Sequence, residues 1–103
     1  MQELEGKVAI VTGGGSGIGE GIVRAAHSAG MKVVVADIDL EKAESVASWL
    51  SDGAVAVHVD VSSLASVEAL RDAALAEFGA VHLLCNNAGV WIGALMAEAD
   101  TST

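Results

Sequence analysis

Short apolar runs alternate along the chain with longer segments in which apolar residues recur every three or four positions. The apolar runs cover residues 7–12, 32–37, 54–59 and 81–86, and they consist largely of Val, Ile, Leu and Ala. Because strands that are buried on both faces read as continuous apolar runs, the four runs are predicted to be strands of a parallel sheet. Their period of about 25 residues is typical of strand–helix–strand units.

A helix is predicted in each interval between these strands. Asp39 and Ser63 are expected to be N-caps of the second and third helices, and a glycine follows each helix as a stop signal, at Gly30, Gly53 and Gly79. Residues 89–103 give no clear pattern. The inward-facing residues are predicted to be Ile18, Ile22, Ala25 and Ala29 in the first helix, Leu40, Ala43, Val46, Ala47 and Leu50 in the second, and Val67, Leu70, Ala74 and Phe78 in the third.

This order of elements predicts an α/β fold with a doubly wound, Rossmann-like parallel sheet. Right-handed crossovers favour the strand order 3-2-1-4. Residues 1–103 are expected to form a single, partial dinucleotide-binding domain that stops after the fourth strand. That strand would then be an unpaired apolar edge, which is an aggregation hazard.

Composition narrows the class of protein. The chain of 103 residues is 52% hydrophobic, has a formal net charge of −9 and contains a single cysteine, Cys85. An acidic surface disfavours nucleic acid and anionic membranes as partners, and no apolar run is long enough to span a bilayer. The three histidines show no metal-ligand spacing, so no metal is expected. We therefore expect a cytoplasmic protein.

Residues 12–19, Thr-Gly-Gly-Gly-Ser-Gly-Ile-Gly, join the first strand to the first helix. Glycines let a backbone approach a diphosphate closely, and helix amides favour the anion. The pattern G-x-G-x-x-G does not fit, since position 18 is Ile18, and the ATP-type loop fails because Gly19 precedes Glu20. The pattern T-G-x-x-x-G-x-G does fit. The alternative is a glycine-rich turn that binds nothing.

Four motifs follow one another along the chain: Thr12-Gly13, Gly17 and Gly19; Asp37; Asp60-Val61; and Asn86-Asn87-Ala88-Gly89. In their order and spacing the chain resembles the short-chain dehydrogenase/reductase family, and the resemblance covers residues 5–90. It implies that the loop residues bind the diphosphate of NAD. It also implies that the Asp60 carboxylate and the Val61 amide contact adenine, and that the turn after the fourth strand lines the cofactor. The alternative for Asp60 is a turn residue.

The cofactor-binding set predicted from the residues and the resemblance together contains eleven positions. Within the last turn, Asn87 is expected to be the nearer contact, and Asn86 and Asn87 are expected to tie neighbouring strand ends together. The set is Gly13, Ser16, Gly17, Ile18, Gly19, Asp37, Asp60, Val61, Asn87, Ala88 and Gly89.

Asp37 ends the second strand, 18 residues after Gly19. A carboxylate there accepts hydrogen bonds from both hydroxyls of the adenosine ribose and repels a 2′-phosphate. Ser16 stands where phosphate-dependent members of the resembled family often carry Arg or Lys, and Ile38 follows Asp37. NAD(H) is therefore predicted over NADP(H). The alternative is that Asp37 caps the loop to the next helix.

The resemblance also implies catalysis by Ser, Tyr and Lys, yet the chain has no tyrosine, and no lysine follows Lys42. No catalytic residue is therefore assigned. The chain is interpreted as the NAD(H)-binding half of an oxidoreductase that acts on a small alcohol or carbonyl substrate. It is expected to be inactive alone, and the intact enzyme is expected to be a homo-oligomer. The alternatives are a noncatalytic NAD-binding module, a truncated product that pairs with another chain, or, more remotely, a flavodoxin-like signalling domain.

Overall fold

A computed structural model of the chain describes residues 4–50 and 52–87. Its four strands are all parallel and lie in the order β3-β2-β1-β4, which confirms the predicted fold class and strand order. The elements are β1 (Val8–Thr12), α1 (Gly17–Ser28), β2 (Lys32–Asp37), α2 (Leu40–Leu50), β3 (Ala54–His58), α3 (Leu64–Phe78) and β4 (Leu83–Asn86).

The sheet is covered on both faces, which explains the continuous apolar runs. On one face, Ile10 and Val34 pack with Leu70 and Ala74 of α3. On the other face, Val11 and Val35 pack with residues of α1 and α2, including Val23. Successive side chains of β1 and β2 thus point alternately into the cores on the two faces of the sheet. A polar side chain on either face of these strands would therefore be buried.

The predicted buried face of α1 was wrong by about one residue. Ile18 is 75% exposed, and Ala25 and Ala29 are also exposed. Gly19 and Val23 face the sheet instead. The physical reason is the close approach of the first turn to the preceding loop: only a residue without a side chain fits against the Gly13 carbonyl, and this contact fixes the rotation of the helix.

The fourth strand is shorter than the predicted segment 81–86, because a side chain replaces part of the β1–β4 ladder. The Val8 N–H donates to Nδ1 of His82 at 3.0 Å, and the His82 N–H donates to the Val8 carbonyl at 2.9 Å. Regular pairing begins with Ala9 opposite Leu83. The imidazole therefore fixes the start of β4, a role that the sequence did not indicate.

The predicted helix ends are confirmed. The Ser63 hydroxyl accepts from the Ser66 N–H at 3.2 Å, and Asp39 Oδ1 accepts from the Lys42 N–H at 3.3 Å. Gly79 ends α3 in the left-handed conformation, with φ of 81°. Of the helices in the described ranges, none is both long and apolar enough to cross a membrane.

Candidate functional site

The predicted site residues that the structure describes all lie at the carboxyl edge of the sheet. Because the strands are parallel, the segments after β1, β2, β3 and β4 meet at this edge. β1 lies between β2 and β4. After β1 the chain continues outward on one side to form β2 and β3, and it then crosses back to form β4 on the opposite side of β1. Ligands of doubly wound sheets bind at such a switch point.

The loop between β1 and α1 is held in a fixed shape by its own backbone. Gly13 and Gly17 have φ values of 67° and 60°, a region that residues with a Cβ rarely adopt. The Gly14 N–H donates to the Ala36 carbonyl at 3.0 Å. A Cβ on Gly19 would overlap the Gly13 carbonyl oxygen and lie 2.9 Å from Nδ2 of Asn87. Glycine is therefore required at Gly19 by the packing of the chain itself.

The N-terminus of α1 has no side-chain cap. Ser16 occupies the N-cap position in an extended conformation, and its side chain makes no capping hydrogen bond. The first intrahelical bond runs from the Glu20 N–H to the Ser16 carbonyl at 3.4 Å. The amides of residues 17–19 precede that bond and so have no intrahelical acceptor. They form a donor set of the kind that binds phosphate groups at helix N-termini.

A surface ion pair lies one turn beyond these amides. Arg24 contacts a carboxylate oxygen of Glu20 at 2.7 Å, and both side chains are partly exposed. Such pairs contribute little to stability. Its relevance to the site is electrostatic, because Arg24 neutralises an acidic group that lies in the first turn of α1.

Asp37 is the one predicted site carboxylate that is buried, being 8% exposed. Its Oδ2 accepts from the Gly15 N–H at 2.9 Å, and its Oδ1 accepts from the Asp39 N–H at 2.9 Å. The bond from the Asp39 N–H is the contact expected if Asp37 caps the loop to the next helix, which was the alternative interpretation of this residue. A carboxylate has about four acceptor positions, so these two bonds orient Asp37 and leave acceptor positions for a further hydrogen-bond donor.

A basic residue begins closer to this site than the sequence suggested. A Cβ built on Gly15 would lie 2.8 Å from Cβ of Lys42, so the stem of that lysine is beside the loop. The other two positions considered for cofactor choice, Ser16 and Ile38, are exposed. Lys42 is therefore a basic residue whose stem the structure places against the loop.

Asp60 lies after β3 in a tight turn. Its Oδ1 accepts from the Ser62 hydroxyl at 2.6 Å and from the Ser62 N–H at 3.0 Å. These two bonds, with a smaller contribution from the charge of His58, hold the pKa of Asp60 below its ordinary value against a small opposing effect of burial. Oδ1 of Asp60 is therefore engaged within the turn, as the alternative interpretation of this residue predicts. Val61 is half-buried and packs on the α3 side of the sheet.

Replacing Ser62 by alanine is expected to raise the pKa of Asp60, because its main hydrogen bond is lost. The stabilising effect of this carboxylate is present above its ordinary pKa and is lost as pH falls through the lowered folded-state pKa. Carboxyl NMR titration measures the midpoint. Ser63→Ala is the matched control: it should lower the free energy of unfolding by about 1 kcal/mol through the lost helix cap and leave the midpoint unchanged. An unchanged midpoint in Ser62→Ala would contradict the assignment.

The two asparagines at the end of β4, Asn86 within the strand and Asn87 directly after it, tie strand ends together, as predicted. The Thr12 hydroxyl, which is fully buried, donates to Oδ1 of Asn86 at 2.9 Å. Nδ2 of Asn87 donates to the Gly13 carbonyl at 3.4 Å. Asn87 thereby lies against the glycine loop. The predicted contacts Ala88 and Gly89 lie outside the described residues.

Sequence reasoning missed two groups at this edge, the Gly15 amide and the stem of Lys42. The run of three glycines at 13–15 was an available signal, because the motif itself needs only the first of them. Lys42 gave no signal, since its approach to the loop depends on how α2 packs.

A protein-family model described as short chain dehydrogenase matches residues 7–103. The chain belongs to the short-chain dehydrogenase family. This confirms the resemblance drawn from the four sequence motifs, and it identifies the chain as part of a family of oxidoreductases.

Individual members of the short-chain dehydrogenase family resemble the chain closely. A 3-alpha-(or 20-beta)-hydroxysteroid dehydrogenase of Mycobacterium bovis is 47% identical over 87 residues, which is 84% of this chain and 34% of that protein. A (+)-borneol dehydrogenase 1 of Salvia officinalis is 42% identical over 99 residues, 96% of this chain and 38% of that protein. The chain thus spans about a third of the length of these relatives.

Solved structures of the family share its fold. A 3-ketoacyl-(acyl-carrier-protein) reductase from Brucella melitensis, complexed with NADH, has a TM-score of 0.77 and 49% identity over 79% of this chain and 34% of that one. A short-chain dehydrogenase/reductase from Burkholderia phymatum, in complex with NAD, has a TM-score of 0.77 and 45% identity over 82% of this chain and 31% of that one.

Proposed function

We propose that this chain is the NAD(H)-binding part of an oxidoreductase that acts on a small alcohol or carbonyl substrate. The observation that carries the proposal is the uncapped N-terminus of α1 beside the buried, oriented carboxylate of Asp37. The amides of residues 17–19 would hold the diphosphate, and Asp37 would accept the ribose hydroxyls. Bound NAD(H) would supply or accept the hydride.

The remaining assigned residues have supporting parts in this proposal. Asn87 keeps the Gly13 carbonyl turned into the loop, so the backbone around Gly13 and Gly19 keeps its shape when an anion binds. Asp60 and Val61 would border the adenine. Both described hydrogen bonds of the Asp60 carboxylate use Oδ1, so Oδ2 would be the oxygen that accepts from the adenine. Proton transfer would fall to residues outside this chain, which contains no tyrosine.

The preference for NAD over NADP depends on two opposing charges. Asp37 is buried and cannot move away from a 2′-phosphate without breaking its bonds to Gly15 and Asp39. Lys42 lies on the same side of the loop but is exposed to water, where its charge is more strongly screened. The buried carboxylate therefore dominates, and NAD is the proposed cofactor. Two relatives of known structure carry NADH or NAD, which agrees with this choice.

The second candidate function is a noncatalytic module that binds NAD by itself or pairs with another chain. The proposed single domain 1–103 has its last described strand, β4, paired only with β1. Both candidates are expected to bind NADH, so size-exclusion chromatography distinguishes them: a stable monomer supports the module, whereas self-association supports a part that is completed by further chain. In our proposal the intact protein would be a cytoplasmic homo-oligomer.

Titration calorimetry with NADH tests the proposed function. The full chain is expected to bind NADH with a Kd of about 1–100 μM, which corresponds to roughly 5–8 kcal/mol. ADP-ribose should bind nearly as well, whereas adenosine should bind at least about 100-fold more weakly, because hydrogen bonds to a charged group are each worth about 1.5–3 kcal/mol. Circular dichroism confirms folding. Equal affinities for adenosine and ADP-ribose would contradict diphosphate binding by the loop.

A further inference from the structure

Gly15 differs from Gly13 and Gly17 in the reason why it must be glycine. Gly13 and Gly17 have positive φ values, and Gly15 does not. Its backbone conformation is therefore open to residues with a side chain. The motif T-G-x-x-x-G-x-G also leaves this position free. Whatever restricts it to glycine lies in the space beside it.

That space is filled by Asp37 and the start of α2. A Cβ on Gly15 would lie 2.9 Å from Oδ2 of Asp37, 2.8 Å from Cβ of Lys42 and 3.1 Å from the amide nitrogen of Ala43. The Gly15 N–H donates to the same Asp37 oxygen at 2.9 Å, in a buried hydrogen bond. One residue thus both binds the carboxylate oxygen and leaves the room that the oxygen occupies.

We propose that Gly15 is a positioning residue for cofactor choice, acting through Asp37. This proposal rests on the proposed function above. The Gly15 N–H sets the direction of the Asp37 carboxylate, and that direction determines how well the site distinguishes a ribose 2′-hydroxyl from a 2′-phosphate. Gly15 itself needs no contact with the ribose for this role.

The effect of a side chain at position 15 follows from which neighbour is able to move. Lys42 Cβ and the Ala43 nitrogen belong to the first turn of α2, which is fixed by its own hydrogen bonds. The carboxylate of Asp37 is the end of a side chain, and its Oδ1 remains bound to the Asp39 N–H. Gly15→Ala should therefore turn the carboxylate about that remaining bond. Because Lys42 Cβ cannot move, the backbone at residue 15 must also shift away from α2, which weakens its N–H bond to Oδ2 of Asp37. The diol then loses an aligned acceptor, and a phosphate meets less repulsion.

A double-mutant cycle tests this coupling. Affinities for NADH and NADPH are measured for the full chain, Gly15→Ala, Asp37→Ala and the double variant, with circular dichroism to confirm folding. Gly15→Ala is expected to lower the NADH-to-NADPH affinity ratio about 10-fold. In the Asp37→Ala background the same change should leave the ratio unaltered. Asp37→Asn, which keeps an acceptor for the Asp39 N–H, provides a second background if Asp37→Ala does not fold.

Gly21→Ala is the matched control, because a Cβ there meets nothing within 4 Å and both affinities should stay the same. If Gly15→Ala does not fold, Gly15→Ala with Lys42→Gly is compared with Lys42→Gly alone. This pair removes the tightest contact with α2, that with Lys42 Cβ, and keeps the contact with Asp37.

Three outcomes would overturn the proposal. Equal losses of NADH and NADPH affinity in Gly15→Ala would show a merely structural role. An undiminished change of ratio in both Asp37 backgrounds would show that Gly15 does not act through Asp37. In either case the proposed function stands, because the unaltered chain still binds NADH. A chain that folds but binds neither dinucleotide would instead remove the proposed function and this inference together.

Discussion

Gly19→Ala is expected to lower the affinity for NADH by on the order of 100-fold, which is about 2.7 kcal/mol. The new Cβ would overlap the Gly13 carbonyl oxygen and lie 2.9 Å from Nδ2 of Asn87, so the loop and the helix must move apart. Movement of the first turn takes the amides of residues 17–19 out of alignment with the diphosphate. The same displacement should reduce the free energy of unfolding by about 1–3 kcal/mol, as is usual for overpacking.

The two consequences are measured separately, by calorimetric titration with NADH and by urea unfolding. Gly21→Ala is the control, since it lies two residues further along the same helix with open space around its Cβ. It should raise the free energy of unfolding by about 0.5–1 kcal/mol, because alanine is the better helix former, and leave NADH affinity unchanged. If Gly19→Ala behaves like Gly21→Ala in both measurements, the close packing described for this loop is wrong.

Asp37→Ala combined with Ser16→Arg is expected to shift the NADH-to-NADPH affinity ratio by about 100-fold or more toward NADPH. The change removes a buried carboxylate and adds a guanidinium, which binds phosphate through paired hydrogen bonds. Near a protein surface, two unit charges 4 Å apart interact by about 4 kcal/mol, so a 100-fold effect requires only part of that energy. Fluorescence titration with both dinucleotides gives the ratio.

This double variant carries a stability cost that its controls must separate from cofactor choice. Without the carboxylate, the N–H groups of Gly15 and Asp39 lose their acceptor, at about 1–3 kcal/mol for each buried group. Asp39→Ala with Ser16→Arg is the matched comparison, because Asp39 is also acidic but exposed and caps α2. An equal change of ratio in both double variants would show that Asp37 does not discriminate between the cofactors.

The strands and their order could be predicted because burial on both faces imposes a pattern that few other folds produce. The rotation of α1 could not, since Ile18 has the side chain expected to be inside and Gly19 has none. The rotation of the helix is determined by the packing of Gly19 against the Gly13 carbonyl. The hydrophobic periodicity within a helix carries no information about a contact with the preceding loop. For the same reason, the start of β4 depends on an imidazole accepting a main-chain N–H, which no strand propensity describes.

The candidate site was predictable in its residues but only partly in their interactions. The motifs indicated Gly13, Gly19, Asp37 and Asn87, and the structure brings these together at one edge. The bond from the Gly15 amide to Asp37 was beyond the motif, because it depends on the exact approach of two strand ends. Asp60 is the opposite case, because its hydrogen-bond partner Ser62 is only two residues away in sequence. A turn at this position could therefore be predicted as the alternative, and both hydrogen bonds of Asp60 Oδ1 lie within that turn.

The link between the glycine loop and β4 has a consequence for the order in which the molecule assembles. Thr12 and Gly13 bond to Asn86 and Asn87 across 74 positions of sequence. Bringing together residues so far apart in sequence costs chain entropy, and the local contacts that form early do not offset this cost. The loop therefore takes up its final shape only after the fourth strand docks, and hydrogen exchange during refolding should show the hydrogen-bonded amides of Gly14 and Gly15 among the last to gain protection.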